Sequence, residues 1–320
     1  GAIESPRLLL LLDAQHDERL FRPHQLLGRY FFDHMSAPIA TIEPPRDRQG
    51  LNDAFGIRFV RPGMRDVRME PSAGLRRRAR LPAGFAHITA TSVTPSGFDS
   101  LRELYRRTQS DAALDWRNVL GIARDLDWFL QAAWWRAMRH RLLAPRQAQY
   151  RVVLVTEQFP NRESRITLSN DKFDAYGAPL ARIVWRTTGR DMDAFRALQT
   201  EFARFWAGSA LGSLGRLALA PEAEWRSQLQ SSSDIFHPGG TTRMAADRAR
   251  GVVDADLRSF QCPNLYVAST SVFPSAGGAN PTFTLMALSL RAADHIAAKV
   301  RRRPIGATIG AQPELRAVGV

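Results

Sequence analysis

A chain of 320 residues, 44% hydrophobic and 23% charged, has the composition of a globular protein with one large domain or two ordinary ones, which excludes wholesale disorder. Its formal charge of +13 invites a nucleic-acid role, yet among 44 basic residues only Lys172 and Lys299 are lysine. The arginines are scattered rather than gathered into a stripe with interleaved aromatics; the densest runs are Arg76–Arg78 and Arg301–Arg303, and no nucleic-acid partner is expected. No apolar run reaches the roughly 20 residues of a membrane span. Cys262 stands alone, which rules out an intrachain disulfide and makes a reducing cytoplasm the expected compartment.

In chain order, residues 2–12 predict a helix with Ser5 as N-cap, Pro6 in the first turn and leucines beyond. Leu27–His34 reads as a turn leading out of one domain. Between about 36 and 92, period-2 segments such as 37–42, 55–60 and 86–92 predict antiparallel strands. Residues 111–143 carry Leu114, Val119, Ile122, Leu126, Phe129, Ala133 and Ala137 at helical spacing. Strands return at 150–156, 165–168 and 181–185, separated by the turn signals Pro160-Asn161 and Tyr176-Gly177. Helices at about 190–208 and 221–230, a short strand at 264–268 and a helix from Pro281 to about Val300 follow. The tail 301–320 lacks periodicity and is expected to be a flexible end. The pattern is α+β in the middle, flanked by pieces that look borrowed from an α/β domain.

The stretch that carries chemistry lies near the C-terminus, where His237-Pro-Gly-Gly-Thr-Thr-Arg-Met244 is followed by Gly251-Val-Val-Asp254 and Asn264-Leu-Tyr-Val-Ala268. Ser271-Val-Phe-Pro274 and Gly277-Gly-Ala-Asn280-Pro281-Thr282 complete the series. A neutral histidine suits proton abstraction because its ordinary pKa lies near 6.5. Asn280 before Pro281 reads as a helix N-cap followed by an N1 proline, and such a helix aims its positive end and free N–H groups at whatever precedes it. Gly277-Gly278 would allow a close approach there, or form an ordinary turn.

The series closely resembles the C-terminal signature of the glucose–methanol–choline (GMC) family of flavin-dependent alcohol oxidases and dehydrogenases. Glu157-Gln-Phe-Pro-Asn-Arg-Glu-Ser-Arg-Ile-Thr-Leu-Ser169 is similar to the same family, whereas much of 43–150 is not. The resemblance implies an interleaved organisation. Residues 1–34 would be a returning segment of the FAD-binding domain and 35–232 the substrate-binding domain, an antiparallel sheet backed by helices. Residues 233–300 would return to the flavin, and 301–320 would be the tail. It implies FAD as cofactor and a small alcohol, such as a sugar or polyol, as substrate. His237 would take the hydroxyl proton, the hydride would go to flavin N5, and Asn280 would position the substrate oxygen. Ser269, Thr270, Gly278, Asn280, Pro281 and Thr282 would face the cofactor, although family members commonly carry an acidic residue where this chain has Ser269.

The dinucleotide fingerprint G-x-G-x-x-G occurs nowhere in the 320 residues, and the chain begins at Gly1 without methionine. Both features are expected of the C-terminal part of a longer enzyme, which alone should bind FAD poorly. The competing readings are an inert fragment, a flavin-containing lyase on the same fold, and a hydrolase built from His237, Asp234 and one of Ser231–Ser233. The hydrolase lacks a G-x-S-x-G elbow, and zinc lacks paired His/Cys spacing. Trp134-Trp135 could suggest a carbohydrate surface but reads more simply as core or domain contact.

Overall fold

Alternating side chains along one strand set the architecture. In the computed structural model, which describes residues 1–301 apart from 22–24, 44–47, 62, 95, 108–115 and 232–236, residues 148–156 bury every second side chain. In chain order, helix α1 (Glu4–Gln15) precedes strand β1 (Met35–Glu43) and helix α2 (Arg48–Phe55). Short strands β2 (Arg58–Val60), β3 (Gly63–Arg65) and β4 (Arg68–Met69) lead through α3 (Ala73–Ala79) to β5 (Gly84–Ser92). Helices α4 (Gly97–Arg107), α5 (Trp116–Arg124) and α6 (Leu126–Trp134) follow, the last widening into a π-turn over Trp135–Arg139. Beyond them come β6 (Ala148–Thr156), β7 (Arg165–Phe173), β8 (Pro179–Val184), α7 (Gly189–Ala207), β9 (Arg216–Leu219), α8 (Glu222–Ser231) and α9 (Thr282–Arg301).

Five strands form one antiparallel sheet in the order β4-β5-β6-β1-β9. Strand β5 runs in unbroken register with β6, from Gly84 opposite Thr156 to Ser92 opposite Ala148. The β1–β6 register slips between Pro38 and Ala40, beside a proline that has no N–H to give the ladder. Tyr150, Val152 and Leu154 of β6 join Ile39 and Ile42 of β1 against Phe195, Leu198 and Trp206 of α7 and Trp225 of α8. Helix α7 starts at a capping box in which Thr188 and Asp191 satisfy each other's backbone N–H groups.

A second core joins the chain ends. Leu9, Phe21, Leu26, Leu27 and Phe32 pack with Val252, Val253, Leu257, Val267, Val272, Phe273 and Ala292. Strands β7 and β8 form a separate hairpin beside α1. There the buried Arg7 guanidinium donates to the Asp174 carboxylate at 2.6 Å and to the carbonyls of Pro179 and Ala178. That hydrogen bond from Arg7, reinforced by the N–H groups of Ala178 and Tyr176, holds Asp174 below the usual carboxylate range.

The α+β class with an antiparallel sheet and helices agrees with the sequence reading, and several local expectations do not. Helix α1 begins at Glu4 with Ile3 before it, so Ser5 lies inside the first turn and caps nothing. Helices α2 and α3 interrupt the stretch read as strands, and Phe55 ends a helix. The expected helix over 111–143 divides at Asp125, whose carboxylate accepts from the Gly97 N–H of the unforeseen α4; Leu114 lies outside the described residues. At its far end the helical path stops at His140, which sits at φ +52°. Residues 264–268 do not extend as a strand; they contact 257–259 through Ser259 N–H to Leu265 and Val267 N–H to Leu257, with one bridge at Tyr266. Trp135 is buried while Trp134 is exposed. The tail beyond Arg301, and Ser232, Ser233 and Asp234 of the hydrolase reading, lie outside the described residues.

Phe195 is fully buried with its ring 4.9 Å from that of Trp225 and tilted against it, which makes it the joint between α7 and α8. Phe195→Ala should cost about 3–5 kcal/mol, seen in urea unfolding as a lower midpoint at unchanged slope.

Candidate active site

The site begins with two segments 200 residues apart that exchange backbone hydrogen bonds. Phe32 N–H donates to the Gly239 carbonyl at 3.2 Å and Gly239 N–H returns to Phe32 at 3.1 Å. Gly240 takes φ +89°, and a Cβ there would stand 2.1 Å from the Tyr30 carbonyl oxygen; at Gly239 it would stand 2.6 Å from the Phe32 ring. These glycines therefore allow close approach, and what approaches is residues 30–32 of the chain itself. The next residues continue the layer: Thr242 N–H donates to the Ser271 carbonyl at 2.9 Å and Met244 N–H to Val272 at 2.7 Å.

At the end of this crossing the Asp33 carboxylate is completely buried. Its Oδ1 accepts from the backbone N–H of His34 at 2.6 Å and of His237 at 2.9 Å. The two imidazoles then meet edge to face, Nδ1 to Nδ1 at 2.9 Å. The other ring nitrogen of His34, Nε2, lies 2.8 Å from the Gly277 carbonyl oxygen. Gly277 sits at φ +67° with nothing within 4 Å of where a Cβ would stand, and its N–H donates to the Glu157 carboxylate at 2.8 Å. The second oxygen of Glu157 accepts from Ala83 N–H at 2.8 Å, which ties the Gly277 loop to the start of β5.

Asn280 is three residues further along this loop. Its side-chain oxygen accepts from Arg68 Nη1 at 3.1 Å, and Arg68 also lies 4.2 Å over the Phe85 ring. Helix α9 starts at Thr282, one residue later than expected: Pro281 precedes the helix and its carbonyl accepts from Leu285 N–H, so Asn280 is not in the N-cap position. His237 and Asn280 are thus linked through His34, Gly277 and the loop, with Arg68 near both. Burial, then the charges of His34 and Arg68, hold the His237 imidazole below the ordinary histidine value. Among the described residues no group of three or more His, Cys, Asp or Glu is placed to hold a metal ion.

The expected cofactor-facing residues divide. Gly278, Asn280, Pro281 and Thr282 lie on the loop and helix start, with Asn280 and Thr282 exposed. The Ser269 hydroxyl is buried and accepts from Ser271 N–H, and Thr270 Oγ1 donates to the Pro238 carbonyl at 2.8 Å behind His237. In the structure those two hydroxyls serve the local backbone. Sequence reasoning missed Asp33, His34, Glu157 and Arg68. Asp33-His34 had passed as the end of a turn, and Glu157 opens the quoted stretch 157–169 without having been assigned a role.

Residues 160–289 match the family model described as GMC oxidoreductase. Over that segment the chain is similar to the GMC oxidoreductases. It is 35% identical over 137 residues to a C-glycoside 3-oxidase of Arthrobacter globiformis, covering 42% of this chain and 24% of that protein. It is 23% identical over 299 residues to a 2-methyl-1,2-propanediol dehydrogenase of Mycolicibacterium austroafricanum, covering 92% of this chain and 46% of that one. Among solved structures, pyridoxine 4-oxidase from Mesorbium loti superposes with a TM-score of 0.50 at 18% identity, over 93% of this chain and 50% of its own. The chain spans half or less of the length of these relatives, and the structural likeness concerns the fold.

FAD is the cofactor of the GMC oxidoreductases, and the Gly277 loop leaves open backbone beside His237's partner His34. The Gly277 backbone is open on its Cβ side, and the first N–H groups of α9 precede the first helical bond at Leu285. The outward nitrogen of His237 belongs to a half-buried ring.

Two outcomes follow from this geometry. Gly240→Ala should destabilise the protein by about 1–3 kcal/mol in denaturant unfolding, because the positive φ and the Tyr30 carbonyl both oppose a side chain. Arg68→Gln should raise the His237 titration midpoint towards its ordinary value, read by histidine NMR, since one cation opposing the imidazolium is removed.

Proposed function

We propose that this chain forms the alcohol-binding side and part of the flavin-binding side of an FAD-dependent oxidoreductase that oxidises the CH–OH group of a small alcohol. The observation that carries the reading is the convergence of His237, Asn280 and the open Gly277 loop at the start of α9. Residues 1–34 and 233–300, which share the second core, belong to the FAD-binding domain; residues 35–232 form the substrate-binding domain. The named activities of similar proteins, a C-glycoside 3-oxidase and a 2-methyl-1,2-propanediol dehydrogenase among them, favour a sugar or polyol substrate.

Gly277, Gly278 and the first turn of α9 would hold FAD, which would supply the acceptor for the hydride. The protein's residues do the rest. His237, kept neutral by burial, removes the hydroxyl proton with its outward nitrogen. Arg68 and the Asn280 amide stand where negative charge develops on the substrate oxygen, and the positive end of α9 adds to that field. The ADP half of the cofactor finds no G-x-G-x-x-G fingerprint here. Phe283, Met286 and Leu290 of α9, exposed by 83%, 60% and 68%, give that helix an apolar outer face.

His237→Ala in the flavin-loaded enzyme should slow anaerobic flavin reduction by an alcohol about 10²- to 10⁴-fold. An unchanged reduction rate would remove His237 from the chemistry.

A further inference from the structure

We propose that His34 is a buried proton partner that sets the tautomer of His237 and receives the proton His237 displaces inward during alcohol oxidation; this rests on the function proposed above. The Gly277 carbonyl can only accept, so the nitrogen 2.8 Å from it, His34 Nε2, carries a hydrogen and donates. A neutral His34 then has a bare Nδ1. The nitrogen 2.9 Å from that lone pair is His237 Nδ1, which must hold the hydrogen of the bond between them. His237 is left with a bare Nε2, the nitrogen that a base needs. One carbonyl on the loop leading to Asn280 thus fixes, through two rings, which nitrogen of His237 is basic.

The same pair can pass a proton inward. When the alcohol O–H bond breaks, its electron pair stays on the substrate oxygen and its proton binds His237 Nε2. The Nδ1 proton of His237 moves 2.9 Å along the existing hydrogen bond to His34 Nδ1. His237 ends neutral with its hydrogen on Nε2, and His34 ends as an imidazolium donating to His237 and to Gly277. No atom is left over, and the hydride is accounted for by the oxidation itself. His34 is buried 5% exposed beside the fully buried Asp33 carboxylate, and Glu157 lies behind the Gly277 peptide. Arg68, by contrast, opposes a cation on His237.

Ring-¹⁵N NMR of the histidine-labelled, flavin-loaded protein tests the tautomer directly, with His34→Gln and His237→Ala spectra assigning the signals. The expected state has hydrogen on Nδ1 of His237 and on Nε2 of His34; hydrogen on Nε2 of His237 in the resting protein would overturn the proposal. His34→Gln separates the relay from scaffolding, because glutamine offers both a donor and an acceptor but holds no extra proton. It should preserve the His237 tautomer and the KM for the alcohol while lowering the limiting rate of flavin reduction by roughly tenfold or more. A variant that reduces flavin at the wild-type rate would overturn the relay. If the wild-type flavin is not reduced by any alcohol, the functional reading fails, and the ring-nitrogen shifts still judge the tautomer on their own.

Discussion

The site depends on one buried carboxylate oxygen. Asp33 Oδ1 accepts from the backbones of His34 and His237 together, joining a segment near residue 30 to one near residue 240. A buried carboxylate needs such donors, since burial without them would be costly. In meeting that need, Asp33 fixes the separation of the two imidazoles. Everything beyond follows from it: the His34–His237 contact, the reach to Gly277 and the placement of the loop that carries Asn280.

The chain achieves this crossing by a layered arrangement. Residues 28–32 lie between the start of β7, through Phe31 N–H to Ser164 and Ile166 N–H to Gly28, and the 239–241 segment, through Gly28 N–H to Thr241. The five-stranded sheet contributes from the other side, with Glu157 leaving the end of β6 and Arg68 in β4. The two cores therefore meet at the site, and each supplies groups of a different kind. The end-to-end core brings the bases, and the sheet brings the cation and the carboxylate that anchors the loop.

Much of the fold could be read from periodicity. β6, α7 and α9 have strong, uninterrupted patterns, and their boundaries fall within a few residues of expectation. The failures have local causes. Asp125 binds the Gly97 N–H and so divides a long helical pattern, and 264–268 satisfies its backbone by short-range contacts rather than a ladder. At the candidate site, His237 and Asn280 stand out in the sequence because they sit in a motif. His34 and Asp33 do not, because their importance is a partnership across 203 residues that no local spacing reveals. Gly239 and Gly240 pack against Tyr30 and Phe32, a contact between distant segments that only coordinates show.

The central claim is that His237 acts as a neutral base held ready by this crossing. It is tested most directly by the pH dependence of the anaerobic flavin-reduction rate in the flavin-loaded enzyme. Because burial lowers the His237 pKa, the rate should stay level through neutrality and fall only as pH drops below the ordinary histidine range. A rate already halved at or above the ordinary histidine value, or one indifferent to acid, would contradict the account.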